Sequence, residues 1–352
     1  SALVGADGAR YVTKTYVSEG KWVKISVKET GFYKLTYSEL RTMGFSNPEK
    51  VSVHGYGGWP MKEDFSTAVY IDDVPSIPVW RGSDFLLFYG KGTVKWTYNS
   101  TNKVFTHENN AYATLGYYFV TDATETNEMT TIPSEGNGSV RIDTYDDYIV
   151  HEKEEVSITN PGRPYSGRQL FGESFNLVTS QNFPFSIPGI TNDNGKISYR
   201  FVAKVRSGTG TVSLSVDNTR LTQANIFSND NVYVAALSAS QTANWEGEKN
   251  EKTTVNISFS LSQQTSHLDY IRLQMKRRLQ PYGACTFFRS LASISEPSRF
   301  TIQNASSNLL VFDVTEGSAV RKIETELNGT EASFSLPAGR LREFAMVDPA
   351  ST

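Results

Sequence analysis

The sequence predicts a mainly β protein with two β-rich domains, one of them a jelly roll or β-sandwich, and with very little helix. Three observations support this fold class. Aromatic residues make up 12% of the chain, including 18 Tyr and 20 Phe, and aromatic side chains favour strands. Several segments alternate apolar and polar residues, which is the pattern of a strand with one buried face. Turn residues separate these segments at the spacing of an antiparallel sandwich.

Residues 22–45 hold the clearest local signature of the chain. The first seven residues alternate, with valine and isoleucine on one face and lysine and serine on the other, which predicts a half-buried strand at 22–28. Thr36 and Glu39 then form an S/T-x-x-E capping box, in which each side chain can bond to the other residue's free backbone N–H. The pattern therefore predicts a short helix at 37–43.

The remainder of the first block, residues 1–139, alternates strand patterns with turn signals. The polar stretch at 121–139 is poor in large apolar residues and is interpreted as a linker or long loop. The block is predicted to be a β domain with one short helix. Its further strands are expected near 11–17, 51–54, 69–71, 77–81, 84–89, 93–98 and 117–120.

The second block, residues 140–296, is predicted to be a jelly-roll-like β-sandwich inserted into the first domain. Its segments alternate apolar and polar residues over six to ten positions, as half-buried strands do. A second short helix is expected near 223–227. The clearest strands are predicted at 197–206, 211–216, 253–261 and 268–275.

The last block, residues 297–352, is too short for a core of its own, so we expect its strands to pack onto the N-terminal domain. The dipeptide Asn328-Gly329 is the strongest short hairpin signal in it. Strands are predicted near 299–303, 309–314, 320–327, 332–336 and 342–347.

Charge and composition exclude several function classes. The net charge of −3 argues against a nucleic-acid partner. No apolar run approaches the roughly 20 residues that span a membrane. The single cysteine, Cys285, cannot form an internal disulfide. The chain starts without a signal peptide, which is expected of a processed or trimmed beginning.

The sharpest candidate for catalysis is a split peptidase pair, His54 before Gly55 and Cys285 after Ala284. A thiolate nucleophile needs an imidazole to accept its proton, so this pair is chemically sensible. However, the two sites lie far apart in sequence, and the chain lacks the alternating βα units that such a peptidase fold requires. We therefore predict that His54 hydrogen-bonds within a turn and that Cys285 is a small packed residue.

Metal and cofactor sites are not expected either. The four histidines show no close spacing, so the pattern does not predict zinc. The segment 192–195 offers oxygen ligands but lacks the spaced glutamate of a calcium loop. Asp146 and Asp147 are interpreted as a solvated turn, with calcium at a jelly-roll edge left open. The prediction is thus no catalytic residue, no cofactor-binding residue and no metal site.

Five aromatic residues in the first block offer a different function. Exposed rings on a β-sandwich can stack on the apolar faces of sugars. In a chain this rich in aromatic residues, packing in the core is the expected alternative. The set comprises Tyr56, Trp59, Trp80, Trp96 and Tyr98.

An ordered set of segments resembles a known family over nearly the whole chain. The chain resembles the N-terminal, non-catalytic region of gingipain-like cysteine peptidases, and within them most closely the sortase of the type IX secretion system. In that family the catalytic domain follows a REF-like strand, which the chain carries at 342–344. The segments are GFYKLTYSEL, VSVHGYGGWP, PVWRGSDFLLFYGKG, YYFVTD, GRQLFGESF, LDYIRLQMKRRL, FRS, VFDVT and REFAMVD.

The resemblance implies that this chain is a piece of a cell-surface protein and that the piece itself is not an enzyme. The parent would be a cysteine endopeptidase that cuts sorting signals from secreted proteins. It would be exported to the periplasm or the outer-membrane surface. The implied partners are a downstream peptidase domain of the same protein and outer-membrane secretion proteins. The alternative is a free-standing surface adhesin or carbohydrate-binding module, for which a glycan would be the partner.

Overall fold

The described residues divide into two compact units. The N-terminal and C-terminal parts of the chain together form unit 1, and the residues between them form most of unit 2. The computed structural model describes residues 14–63, 73–158, 167–231 and 233–352. Unit 1 consists of Ser1–Asn99, Thr106–Asp143 and Leu279–Thr352, and unit 2 of Ser100–Phe105 and Thr144–Arg278.

Strands dominate both units, as the sequence predicted. The described helical elements are α1 (Tyr37–Thr42) and three 3-10 turns, Tyr16–Ser18, Pro48–Lys50 and Leu291–Ile294. The strands up to the sandwich are β1 (Val23–Val27), β2 (Gly31–Thr36), β3 (Ser52–His54), β4 (Ser76–Ile77), β5 (Val79–Arg81), β6 (Phe85–Gly90), β7 (Val94–Asn99), β8 (Val104–Asn109), β9 (Gly116–Thr121), β10 (Thr131–Ile132) and β11 (Val140–Ile142).

The remaining strands form the sandwich and the C-terminal part of unit 1. The sandwich strands are β12 (Thr144–Glu152), β13 (Ser180–Ser186), β14 (Gly195–Lys204), β15 (Thr209–Val216), β16 (Thr219–Phe227), β17 (Leu237–Trp245), β18 (Lys252–Phe259) and β19 (Thr265–Arg278). The C-terminal strands are β20 (Cys285–Phe288), β21 (Ser298–Ile302), β22 (Leu310–Asp313), β23 (Arg321–Ile323), β24 (Glu326–Asn328), β25 (Glu331–Leu336) and β26 (Phe344–Val347).

The described residues of unit 2 form an eight-stranded jelly roll. Its two four-stranded antiparallel sheets have the orders β12-β19-β14-β17 and β13-β18-β15-β16, which is the interleaved order of a double Greek key. Alternate residues of both sheets face a shared core, where Phe201 of β14 meets Phe259 of β18 with ring centroids 5.2 Å apart. The predicted jelly-roll class is confirmed. The unit ends at Arg278, whereas the sequence placed the end of the middle block at 296.

The predicted helix near 223–227 is wrong, because this segment belongs to β16. Asp217 and Asn218 adopt positive φ values of 46° and 70°, and they turn β15 back into β16 with Val216 opposite Thr219. A two-residue turn of this handedness suits the twist of a hairpin. The Asp-Asn pair therefore indicates a hairpin, in which the segment after the turn is the strand β16.

The described residues of unit 1 form four principal sheets and most of one short hairpin sheet. The strand orders are β1-β9-β3-β4, β2-β6-β5, β10-β23-β22-β26-β20, β11-β21-β25-β24 and β7-β8. Two pairings are parallel, β10 with β23 and β11 with β21. The predicted strand at 320–327 is in fact two strands, β23 and β24, which belong to different sheets.

Strand β6 is buried on both faces, which explains why residues 85–89 are a continuous apolar run. Leu86 and Phe88 face one core cluster, together with Leu40 of α1. Leu87 and Tyr89 face a second cluster, which contains residues of the C-terminal strands. A strand covered on both faces loses the alternation that marks a half-buried one.

The C-terminal strands share that second cluster with the N-terminal part of unit 1. The ring of Phe312 on β22 stacks on Phe32 of β2, with centroids 4.4 Å apart. Val347 of β26 packs in the same cluster. Apolar surface of residues 297–352 is thus buried against residues of the N-terminal block.

The predicted helix signature is confirmed in detail. The Thr36 side chain accepts the backbone N–H of Glu39 at 3.1 Å, and the Glu39 carboxylate accepts the N–H of Thr36 at 2.8 Å. Leu40 is fully buried on the inward face of the helix. The hairpin at Asn328-Gly329 is also confirmed, since β24 and β25 pair across it and Gly329 has a φ of 62°.

The polar stretch at 121–139 is not a free linker over its length. The N–H of Met129 bonds to the carbonyl of Val79, and the N–H of Glu135 bonds to the carbonyl of Ser335. Between them β10 pairs with β23. Backbone hydrogen bonds hold this stretch against other segments of unit 1. Such bonds leave little trace in the pattern of side chains along the sequence.

Two predicted strands near the N-terminus fall partly or wholly outside the described residues. Of the predicted strand 11–17, the structure describes residues 14–17, and Tyr16 and Val17 belong to the 3-10 turn Tyr16–Ser18 instead. The strand predicted at 69–71 lies outside the described ranges. In the described part of the chain, no helix is long and apolar enough to cross a membrane.

Candidate functional site

His54 lies in a closed polar pocket of unit 1. It sits on β3, and only 1% of its surface is exposed. Its Nδ1 is 2.9 Å from the carbonyl oxygen of Val74, and its Nε2 is 2.9 Å from Thr124 Oγ1. A carbonyl can only accept, so Nδ1 carries the proton and Nε2 accepts from the threonine hydroxyl. Burial lowers the pKa of His54, which keeps the ring neutral.

Two aromatic rings and a serine complete this pocket. The indole of Trp22 meets the imidazole edge-on, with centroids 5.0 Å apart, and Tyr16 lies at 5.6 Å. Ser52 Oγ is 2.5 Å from Thr124 Oγ1 and 3.3 Å from His54 Nε2. Every polar atom of the imidazole has a partner, so His54 has the contacts of a structural residue.

Cys285 lies in a different, apolar environment. It opens β20 opposite Val347 of β26 and packs against the core cluster that contains Phe32. Burial raises the pKa of its thiol to about 11. A thiol with that pKa is almost wholly protonated at neutral pH, whereas a nucleophilic cysteine needs the thiolate.

The structure does not bring the two candidate peptidase residues together. His54 belongs to the sheet β1-β9-β3-β4, and Cys285 belongs to the sheet β10-β23-β22-β26-β20. Within the described ranges, the imidazole's bonding partners are Val74, Ser52 and Thr124. His54 and Cys285 therefore lack the direct hydrogen bond of a thiolate–imidazole pair.

The carboxylates considered as metal ligands have protein partners. Asp146 and Asp147 lie within β12, not in the solvated turn that was predicted, and Asp146 is buried. Asp147 forms an ion pair with Arg277 at 2.7 Å. This pairing explains how a double carboxylate is tolerated inside a strand.

The segment 192–195 precedes and opens β14. The side-chain oxygen of Asn192 accepts the N–H of Lys249 at 2.9 Å, and Asp193 accepts the hydroxyl of Thr191 at 2.5 Å. The described residues contain no group of three or more histidine, cysteine, aspartate or glutamate side chains that could hold a metal ion.

The five aromatic residues do not form one exposed platform. Trp59 and Trp80 pack against the second core cluster of unit 1. Trp59 Nε1 donates to Thr30 Oγ1 at 3.0 Å, and Trp96 packs on His107 with ring centroids 5.2 Å apart. Tyr56 and Tyr98 are half-buried. This arrangement is typical of core and cluster packing.

A cavity of about 210 Å³ lies beside the glycine-rich loop at residues 55–58. We call it the Lys91 cavity; its lining includes Pro75, Ser76, Ile77, Lys91, Tyr118 and Gly317. Lys91 stands between two glycines in the sequence. Nothing in the local pattern distinguishes it from a solvated lysine, because the cavity is built by segments far apart in sequence.

The loop beside the cavity is held by contacts that leave little room for side chains. The N–H of Lys91 donates to the Tyr118 hydroxyl oxygen at 2.8 Å. At Gly57, where φ is +76°, an added Cβ would lie 2.4 Å from that same hydroxyl oxygen. Glycine is therefore required at this position.

Comparison with solved structures finds a likeness over nearly the whole chain. The dimeric latent PorU from Porphyromonas gingivalis superposes with a TM-score of 0.88 at 28% sequence identity. The match covers 96% of this chain and 33% of that chain, so the chain spans about a third of PorU.

Other comparisons add little. Two family 35 carbohydrate-binding modules, one from an environmental isolate and one from Cellvibrio japonicus, match at 13% and 10% identity. Each match covers 38% of this chain and 96% or 97% of the module. Their TM-scores of 0.25 are too low to support an argument. No family model and no curated protein matches the chain.

PorU is the type IX secretion sortase that the sequence segments resemble, so that resemblance is confirmed at the level of a shared region. The chain is a β-rich, PorU-like region.

Proposed function

We propose that this chain is a non-catalytic accessory region of a gingipain-like cell-surface cysteine peptidase of the type IX sortase kind. The observation that carries the proposal is the likeness to one third of PorU, at a TM-score of 0.88 over 96% of this chain. The peptidase domain would belong to a part of the parent protein that the matched region does not include.

The chemistry of unit 1 supports the absence of catalysis in this chain. The thiol of Cys285 is held protonated by burial, with a pKa of about 11. The imidazole of His54 is fully bonded to Val74 and Thr124. Among the described residues, neither group has a hydrogen-bond partner that would activate it as a nucleophile or as a general base.

The role of the region is then to present or regulate the peptidase domain of the same protein. The similar PorU structure is of a latent form, and a large non-catalytic region is a natural candidate for holding such a state. Under this proposal the protein is exported and acts in the periplasm or at the outer-membrane surface, with outer-membrane secretion proteins as further partners.

The reading frame of the gene gives the first test. We expect the frame to continue into an α/β domain that carries His-Gly and Ala-Cys at two strand ends. A stop codon directly after Thr352 would contradict the proposal and favour the free-standing adhesin.

Deletion in the full-length parent gives the second test. Removing residues 14–352 should either abolish cleavage of sorting signals or release a latent peptidase. A matched deletion of unit 2 alone, residues 144–278, separates the contribution of the jelly roll. Cleavage that is unchanged in rate and in timing by the larger deletion would refute an accessory role.

A further inference from the structure

One end of the jelly roll is formed by four connections to and from its strands. The strand registers place these connections at the same end, since β14 ends where β19 begins, β15 begins where β16 ends, and β13 begins where β18 ends. We call this end the jelly-roll tip. It consists of residues 174–179, 205–208, 228–236 and 260–264.

Large apolar side chains are exposed at the jelly-roll tip. Leu177 is 79% exposed, Val178 60%, Phe227 at the end of β16 61%, and Tyr233 74%. Among the described residues of unit 2, the further exposed large apolar side chain is Val156, at 37%. Single exposed apolar side chains need no explanation, whereas a concentration of them at one end of a unit marks a contact surface.

The jelly-roll tip carries almost no charge. Its four loops contain one cation, Arg206, and one anion, Asp230, although 20% of the residues of the chain are charged. Charged side chains oppose transfer into the apolar layer of a membrane, so this composition favours contact with lipid. The tip has no net charge, and in this it matches a zwitterionic bilayer surface and not an anionic one.

Backbone groups of the tip are bonded within the tip. The N–H of Gln263 donates to the carbonyl oxygen of Asn176 at 2.6 Å. The N–H of Tyr233 donates to the side-chain oxygen of Asn231 at 2.9 Å. A peptide group without a partner is costly in an apolar environment. These internal bonds therefore lower the cost of removing the loops from water.

The core beneath the tip determines which side chains are exposed. Ile226 is buried in the sandwich core, and successive residues of a strand face opposite sides, so Phe227 faces away from the core. Phe175 is fully buried, with its ring edge-on to the ring of Phe201 at 5.1 Å. It anchors the loop in which Leu177 follows two residues later.

We propose that the jelly-roll tip binds a zwitterionic lipid bilayer, with the side chains of Leu177, Val178 and Phe227 in the apolar layer. The Tyr233 ring lies at the level of the headgroups, where its apolar body and its hydroxyl both find a favourable environment. The long side chain of Arg206 reaches a lipid phosphate. This surface goes beyond the accessory function proposed above and does not depend on it.

Sedimentation of the chain with phosphatidylcholine vesicles tests the proposal. The chain should bind the vesicles, and binding should persist between about 0.1 and 1 M NaCl, because apolar insertion is not screened by salt. Leu177→Asp and Phe227→Asp should each weaken binding about 10- to 100-fold. Both side chains are exposed, so the melting temperature of the vesicle-free protein should stay unchanged.

Leu327 of unit 1 provides a matched control. It is 47% exposed on β24, and Leu327→Asp makes the same change of charge outside the tip. This variant should bind vesicles as the unchanged chain does. If Leu177→Asp fails to fold, the milder Leu177→Ser should still weaken binding.

Fluorescence quenching shows whether the tip enters the bilayer. The four loops contain no tryptophan, so Phe227→Trp adds an indole there, and the unchanged chain with its five tryptophans gives the background. Phosphatidylcholine with brominated acyl chains should quench the added indole. No vesicle binding, full binding by both aspartate variants, loss of binding in 1 M NaCl, or an unquenched indole would each overturn the proposal. So would self-association in place of vesicle binding, measured by analytical ultracentrifugation and lost in Leu177→Asp, since it would assign the tip to a second copy.

Discussion

Cys285 should react slowly with alkylating reagents while the protein is folded. Burial raises the pKa of its thiol from an ordinary 9.0 to about 11. At pH 8 the thiolate fraction is then about 0.1% in the folded protein and about 9% in the unfolded chain, a ratio of about 100. The thiolate is the reactive form, so this ratio governs the rate.

A second effect partly offsets the first. A more basic thiolate is a better nucleophile. With a Brønsted coefficient of 0.4–0.5, a rise of two pKa units makes the thiolate about tenfold more reactive. The net slowing from ionisation is therefore about tenfold. Packing of the thiol against the cluster of Phe32 and Val347 shields it further, so about tenfold is a lower bound.

Iodoacetamide labelling followed by mass spectrometry measures this ratio directly. The rate at pH 8 is compared in buffer and in urea sufficient to unfold the protein. We expect at least tenfold slower labelling in buffer, and the same slow rate in His54→Gln, since the imidazole does not contact the thiol. A folded-state rate that equals or exceeds the unfolded rate, and that drops in His54→Gln, would show an activated dyad and refute the reasoning.

Three further predictions concern stability. Leu40→Ala should cost about 2–5 kcal/mol by opening a cavity under α1, and Thr36→Ala about 0.5–2 kcal/mol through loss of the cap; urea unfolding that shows both changes to be neutral would contradict this. The lowered pKa of His54 means that the unfolded chain takes up its proton first, so stability should fall as pH drops below about 6.5. His54→Gln should flatten the dependence of stability on pH in this range. An unchanged dependence would show that other groups cause it. Residues 297–352 expressed alone should be unfolded, since their apolar surface is buried against the N-terminal block; a well-dispersed NMR spectrum of that segment would refute this.

Elements with local determinants could be predicted from the sequence. The capping box at Thr36 needs only residues three positions apart, and the structure has both of its hydrogen bonds. The alternating strands of the jelly roll have one face buried against the opposite sheet, so their period of two survives in the sequence. The Asn328-Gly329 hairpin likewise depends on two adjacent residues.

Other elements depend on contacts between distant segments. The stretch at 121–139 is held largely by backbone hydrogen bonds to residues such as Val79 and Ser335, and backbone groups are the same in every residue type. The segment near 223–227 is a strand and not the expected helix, because the turn at Asp217-Asn218 leads the chain into a hairpin.

The candidate site also depends on contacts between distant segments, which the sequence does not reveal. The sequence suggested that His54 and Cys285 are not partners, but it could not reveal that Thr124 and Val74 bond the imidazole. Lys91 and Ser76 line one cavity although they lie on separate segments. A solvated lysine and a half-buried lysine are identical in a sequence, because burial is decided by the tertiary fold.

Peptide cleavage tests the central claim most directly. The purified chain and its Cys285→Ala variant are incubated with arginyl- and lysyl-peptide substrates, and a control peptidase confirms that the substrates can be cleaved. The account predicts no turnover by either protein, because burial raises the pKa of the Cys285 thiol to about 11 and the described hydrogen-bond partners of the His54 imidazole are Val74, Ser52 and Thr124. Turnover by the purified chain that disappears in Cys285→Ala would contradict the account.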